Sequence, residues 1–77
     1  MDFRELQYVV TVADCRNITQ ASKELFISQP SLSHALAQIE KEVGAKLFDR
    51  SHQPLTLTDA GGSTLRRHAS FFAKKRI

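Results

Sequence analysis

Hydrophobic positions along the chain fall into three helical stripes, a short alternating stretch and a fourth helical stripe. Phe3, Leu6, Val10 and Ala13 recur at steps of three and four, which sets them on one side of an amphipathic helix. Asp2 is a suitable cap, and Glu5 three residues later completes the pattern of a capping box. The period is lost over Asp14, Cys15, Arg16 and Asn17, with Asn17 the expected left-handed stop. The first helix is therefore predicted to run from Asp2 to Cys15. A short second helix follows, with Thr19 as its N-cap and Ile18, Ala21 and Leu25 inward, until the pattern breaks at Phe26-Ile27-Ser28.

The third stripe is Leu32, Leu36, Ile39 and Val43. Ser28 caps this helix, Pro30 lies in its first turn, where a missing N–H costs nothing, and Gly44 ends it. Two helices joined by so short a turn predict a helix-turn-helix. After Gly44 the period shortens: in "AKLFDRSHQPLTLT", Leu47 and Phe48 precede a Ser-His-Gln-Pro turn, and Leu55 and Leu57 alternate with threonines. Two strands around a turn make a β-hairpin wing. Thr58 then caps a fourth helix, with Leu65, Ala69 and Phe72 on one face and His68 beside them. Gly61 and Gly62 are expected to weaken its first turns by about 1 kcal/mol each relative to alanine. The predicted fold is mainly α with a small β-hairpin. Residues 1–58 form a winged helix-turn-helix domain, and 59–77 a linker helix with a basic tail.

A chain of 77 residues makes one small domain and leaves little room for a catalytic cleft. Its single cysteine, Cys15, excludes an internal disulfide framework, and "MDFRELQYVV" has neither the basic start nor the apolar run of a secretory signal. A reducing, cytoplasmic setting is expected. With no apolar run near 18 residues, a membrane role is not expected. His34, His52 and His68 are widely spaced with no second cysteine, which fits no zinc spacing, and no nucleophile sits beside a base or a glycine-rich phosphate loop. Neither an enzyme nor a cofactor is expected.

Charge has to be read locally. The net charge is +3, yet residues 1–59 hold six Lys or Arg against all eight Asp or Glu, and the last eighteen residues hold five basic groups and no acid. Basicity thus belongs to the tail, through Arg66, Arg67, Lys74, Lys75 and Arg76, which suits either a solvated segment or non-specific binding of nucleic acid. The body carries a subtler feature. Opposite the apolar stripe of the third helix stand Pro30, Ser33, His34, Ala37, Gln38 and Lys41, flanked by Gln29 and Ser31, and no acid occurs from Phe26 to Ile39. A helix entering the major groove needs small residues and short donors or acceptors near its N-terminus. Taken alone, the same residues fit a solvated face with an ordinary helix start equally well.

The wider constellation resolves that choice. The run "NITQASKELFISQPSLSHALAQIEKEVGAKLFDRS" followed by "LTLTDAG" resembles the N-terminal DNA-binding domain of the LysR-type transcriptional regulators, over about residues 1–72. The elements carrying the resemblance are Ala21 and Leu25, Ser28-Gln29-Pro30-Ser31 with Ser33, Glu40 with Glu42-Val43-Gly44, Leu47-Phe48 with Arg50, and Leu57-Thr58 with Ala60-Gly61. The resemblance implies a homodimer formed through linker helices and bound to inverted repeats in double-stranded DNA. It implies Gln29, Pro30, Ser33 and His34 in the major groove, Ser31 near the backbone, and Arg50 and His52 of the wing at phosphate or in the adjacent minor groove. Thr19, Ser28 and Gln38 complete the expected DNA-binding set, and Leu65, Ala69 and Phe72 the dimerising face. Two positions depart from the family, which often has arginine where this chain has His34 and Gln53. The effector-binding domain that follows in the family is absent, so no small-molecule effector site is expected. A second reading is an interaction module that forms mixed dimers with a full-length relative.

Overall fold

Asp2 opens the first helix through a reciprocal pair of bonds. Its carboxylate accepts from the Glu5 N–H at 2.8 Å, and its own N–H donates to Glu5 Oε1 at 3.0 Å. In the computed structural model, which describes residues 1–68, this capping box starts α1 (Phe3–Cys15). Next come α2 (Ile18–Leu25), α3 (Gln29–Val43), a hairpin of β1 (Phe48–Asp49) and β2 (Thr56–Leu57), and α4 (Asp59–Arg67). The order and type of the elements are those expected from the hydrophobic pattern. The strands are shorter, two residues each, paired antiparallel with Phe48 opposite Leu57 and Asp49 opposite Thr56.

Helices α1, α2 and α3 pack on one another in every pairing, and the wing closes the cluster. Val9 and Val12 of α1, Ala21 of α2, Leu32, Leu36 and Ile39 of α3, and Leu47, Phe48 and Leu55 of the wing form the buried core. Two expectations need correction. The core face of α1 runs through Leu6, Val9 and Val12, while Val10 is half-buried and Phe3 is 49% exposed. Val9 and Val10 both fit the spacing from Leu6, and α2 and α3 cover the Val9 side. Val43 is 37% exposed, because the chain closes over Glu40, whose carbonyl accepts from the N–H groups of both Gly44 and Ala45. Leu57 is exposed on the hairpin, where Leu55 is buried.

The corner between α1 and α2 also differs from expectation. Arg16, not Asn17, takes the left-handed conformation, at φ 53°, and its N–H donates to the Val12 carbonyl. Asn17 is thereby released to cap α2 in place of Thr19, accepting from the Gln20 N–H at 2.8 Å. Asparagine is among the strongest N-caps, so the shift of two residues follows from ordinary capping preference. The turn between α2 and α3 uses a second left-handed residue, Phe26 at φ 58°, whose side chain is 94% exposed.

Glu40 organises the next junction. It lies on the apolar side of α3, 7% exposed, and its carboxylate accepts from the N–H groups of Leu47 at 2.7 Å and Phe48 at 3.3 Å. The start of the wing is thus fixed to the last turn of α3. The far strand is fixed separately, since the Leu55 N–H donates to the Arg16 carbonyl at 3.2 Å and Arg16 Nε donates back to the Leu55 carbonyl at 3.1 Å.

Helix α4 is seated on the wing. Thr58 caps it as expected, accepting from the Gly61 N–H at 3.0 Å, while its N–H and hydroxyl donate to the carbonyls of Leu47 and Lys46. Gly61 is more than a weak helix former here. A Cβ at that position would stand 2.1 Å from the Leu47 carbonyl oxygen and 2.9 Å from Leu57 Cδ2, so the helix start reaches the wing only because the side chain is missing.

Candidate nucleic-acid interface

Ser28 ends the turn in extended conformation and caps α3. Its hydroxyl accepts from the Ser31 N–H at 3.1 Å and donates to Ser31 Oγ at 2.8 Å. Gln29 and Pro30 form the first helical positions, and both are exposed. Their side chains, with the N–H groups of the first turn, create a small neutral surface at the positive end of the helix dipole. Ser33 is half-buried one turn on, while His34 and Gln38 are exposed along the same helix.

A shallow polar notch brings parts of three elements together. It is lined by Asn17, Ile18 and Thr19 from the start of α2, Gln29 and Ser33 from α3, and Arg50 and Gln53 from the wing. The Thr19 hydroxyl lies 3.0 Å from Gln29 Oε1 and donates to it. Thr19 is itself held in place, since its carbonyl accepts from the buried Ser22 hydroxyl at 2.7 Å. Of the expected DNA-facing residues, Thr19, Gln29, Ser33 and Arg50 meet in this notch. Ser28 and Ser31 lie beside each other at the cap. Pro30, His34, Gln38 and His52 do not line it, and His52 is exposed in the turn of the wing. Asn17, Ile18 and Gln53 are additions to the expected site residues. The cap preference of asparagine, which places Asn17 at the mouth of α2, is the sequence signal that finds it.

The wing carries one acid close to Arg50. Asp49 accepts from both the hydroxyl and the N–H of Ser51, and these bonds, with the nearby His52, hold its carboxyl below the ordinary range. The anion is thereby engaged by the turn. Cys15, at the end of α1, is half-buried, and burial first, then Glu24 and Asp14, push its thiol upward, away from the reactive thiolate.

On the fourth helix Leu65 packs partly buried against the core, and His68 Nδ1 lies 2.9 Å from the Thr64 carbonyl. Ala69 and Phe72, the rest of the expected dimerising face, lie outside the described residues. Among the described residues there is no group of three His, Cys, Asp or Glu suited to a metal ion, and no helix long and apolar enough to cross a membrane.

Three helices, a turn, a wing and a polar helix start on one surface define a winged helix-turn-helix. Residues 3–62 match the bacterial regulatory helix-turn-helix proteins of the lysR family, and the chain belongs to that family. It is 46% identical over 68 residues to the HTH-type transcriptional regulator BsdA of Bacillus subtilis (strain 168), a match covering 87% of this chain and 23% of that protein. It is 48% identical over 61 residues to a probable cat1 operon transcriptional activator of Acinetobacter lwoffii, covering 79% of this chain and 20% of that one. The chain thus spans about a fifth to a quarter of these relatives. Among solved structures it superposes on the DNA-binding domain of BenM in complex with benA site 1 DNA, with a TM-score of 0.87 and 29% identity, over 99% of this chain and 85% of that one.

Proposed function

We propose that this chain reads duplex DNA for a LysR-type transcriptional regulator, as a homodimer on an inverted repeat. The observation that carries the reading is the notch: neutral, hydrogen-bonding Gln29 and Ser33 at the start of α3, flanked by Thr19 of α2 and the exposed Arg50 of the wing. The resemblance of the whole fold to a domain solved on DNA supports it.

In this reading the first turns of α3 enter the major groove. Gln29, Pro30, Ser33 and His34 face base edges, with Gln38 further along. Ser28 and Ser31 lie toward the backbone, with Thr19 beside Gln29, and helix starts favour phosphate. Arg50 and His52 approach phosphate or the adjacent minor groove, where a narrow groove favours arginine. Residues 1–58 are the reading domain. Residues 59–77, through Leu65, Ala69 and Phe72, pair with a second copy. Two reading helices then meet grooves about one helical turn, 10–10.5 base pairs, apart.

The test is enrichment of bound duplexes from a random-sequence pool at near-physiological salt. The expected product is an inverted repeat of fixed spacing. Gln29→Ala and Ser33→Ala are expected to relax preference at individual positions by about 1–3 kcal/mol without loss of fold. Variants that select the parent motif unchanged would show that the reading face has been wrongly assigned, and single half-sites at random spacing would remove the dimer.

A further inference from the structure

An exposed glutamine at the start of a reading helix has two chemically opposite ends. Its amide Oε1 accepts and its Nε2 donates, and a half-turn about the last side-chain bond exchanges them. An unrestrained Gln29 would offer either end to a base. In this molecule one end is already engaged, because the Thr19 hydroxyl donates to Gln29 Oε1 at 3.0 Å.

The backbone of the partner is held within the fold. Thr19 lies in the first turn of α2, and its carbonyl accepts from Ser22 Oγ at 2.7 Å, with Ser22 buried. Ala21 of α2 and Leu32 of α3 are both fully buried in the common core, which fixes α2 against α3. The backbone that carries the hydroxyl meeting Gln29 is thus part of the scaffold.

We infer that Thr19 is a positioning residue that sets the hydrogen-bonding sense of Gln29, so that the amide Nε2 is the end offered to DNA and its partner is a purine N7. The inference rests on the DNA-reading function proposed above. With one lone pair of Oε1 held by Thr19, Nε2 keeps both of its hydrogens for a ligand. The major-groove edge of each purine carries N7 as an acceptor, and guanine adds O6 beside it. A hydroxyl at position 19 thereby acts on base choice without itself touching a base.

The experiment compares the 77-residue chain with Thr19→Val, which keeps the shape and removes the hydroxyl, Thr19→Ser, which restores it, and Gln29→Ala. Each is titrated at fixed salt against the enriched duplex, against its single-base variants, and against a duplex with 7-deazapurine at the position that Gln29→Ala relaxes. Thermal unfolding confirms that each variant is folded. For the parent, removal of N7 is expected to weaken binding about two- to tenfold, the net worth of one hydrogen bond. In Thr19→Val that penalty and the base preference at the same position shrink toward those of Gln29→Ala, and Thr19→Ser recovers them. An unchanged preference in Thr19→Val overturns the inference. So does a uniform loss of affinity for every sequence, which marks a phosphate contact by Thr19, and so does a parent indifferent to N7. If the parent enriches no motif at all, the DNA-reading function fails, and the inference with it.

Discussion

Glu40 is the residue whose chemistry is most at odds with its surroundings. A carboxylate 7% exposed on the apolar side of α3 has to be compensated, and the N–H groups of Leu47 and Phe48 supply the compensation. Replacing it with alanine leaves two buried donors without an acceptor and releases the start of the wing. Glu40→Ala is expected to lower stability by about 1.5–3 kcal/mol in urea unfolding, the range for hydrogen bonds to charged groups. A loss well below about 1 kcal/mol, the net worth of a single ordinary hydrogen bond, would mean that water replaces the carboxylate. The sequence marks Glu40 only through the family resemblance, because an acid in a helix ordinarily reads as solvated surface. Thr19 and Asn17 show the same limit. Both are good caps, and the choice between them depends on Arg16 taking the left-handed conformation that its bonds to Leu55 support.

At the scale of the element, the two adjacent glycines of α4 behave differently although their helix propensity is the same. A Cβ on Gly61 meets the Leu47 carbonyl oxygen at 2.1 Å, while one on Gly62 meets only the end of the Arg66 side chain at 3.3 Å. Gly62→Ala is expected to stabilise the fold by up to about 1 kcal/mol. Gly61→Ala must push the helix off the wing, with an expected net loss of about 1–3 kcal/mol typical of overpacking. Thermal unfolding of the pair checks both signs. Equal effects would show that α4 is not seated where described. The elements themselves are legible in the sequence: four helices, their caps at Asp2, Ser28 and Thr58, the stop at Gly44, and the wing. Hidden from it are the contacts between elements. Periodicity gives the inner face of a helix to within about one residue, and what covers that face decides between Val9 and Val10.

At the scale of the whole molecule, the excess of positive charge and the proposed reading surface belong to different stretches of the sequence. The notch is built from residues of the first 53 positions, whereas the residues after Asp59 supply five basic groups and no acid. Removal of residues 74–77 is expected to reduce affinity for all duplexes alike and to flatten the dependence of log K on log salt by about 0.9 for each phosphate that the shortened chain no longer neutralises. The enriched motif should be unchanged. A motif that disappears with the tail would move base recognition out of the helix-turn-helix.

The double attachment of the wing has one further consequence. Its near strand is held by Glu40 and its far strand by Arg16, while residues 50–54 between them are exposed. Residues can be inserted or removed at that tip without disturbing either anchorage. The hairpin is in this sense a finger of adjustable length on a fixed knuckle, and under the proposed function its reach along the double helix can be altered while the body that carries it stays the same.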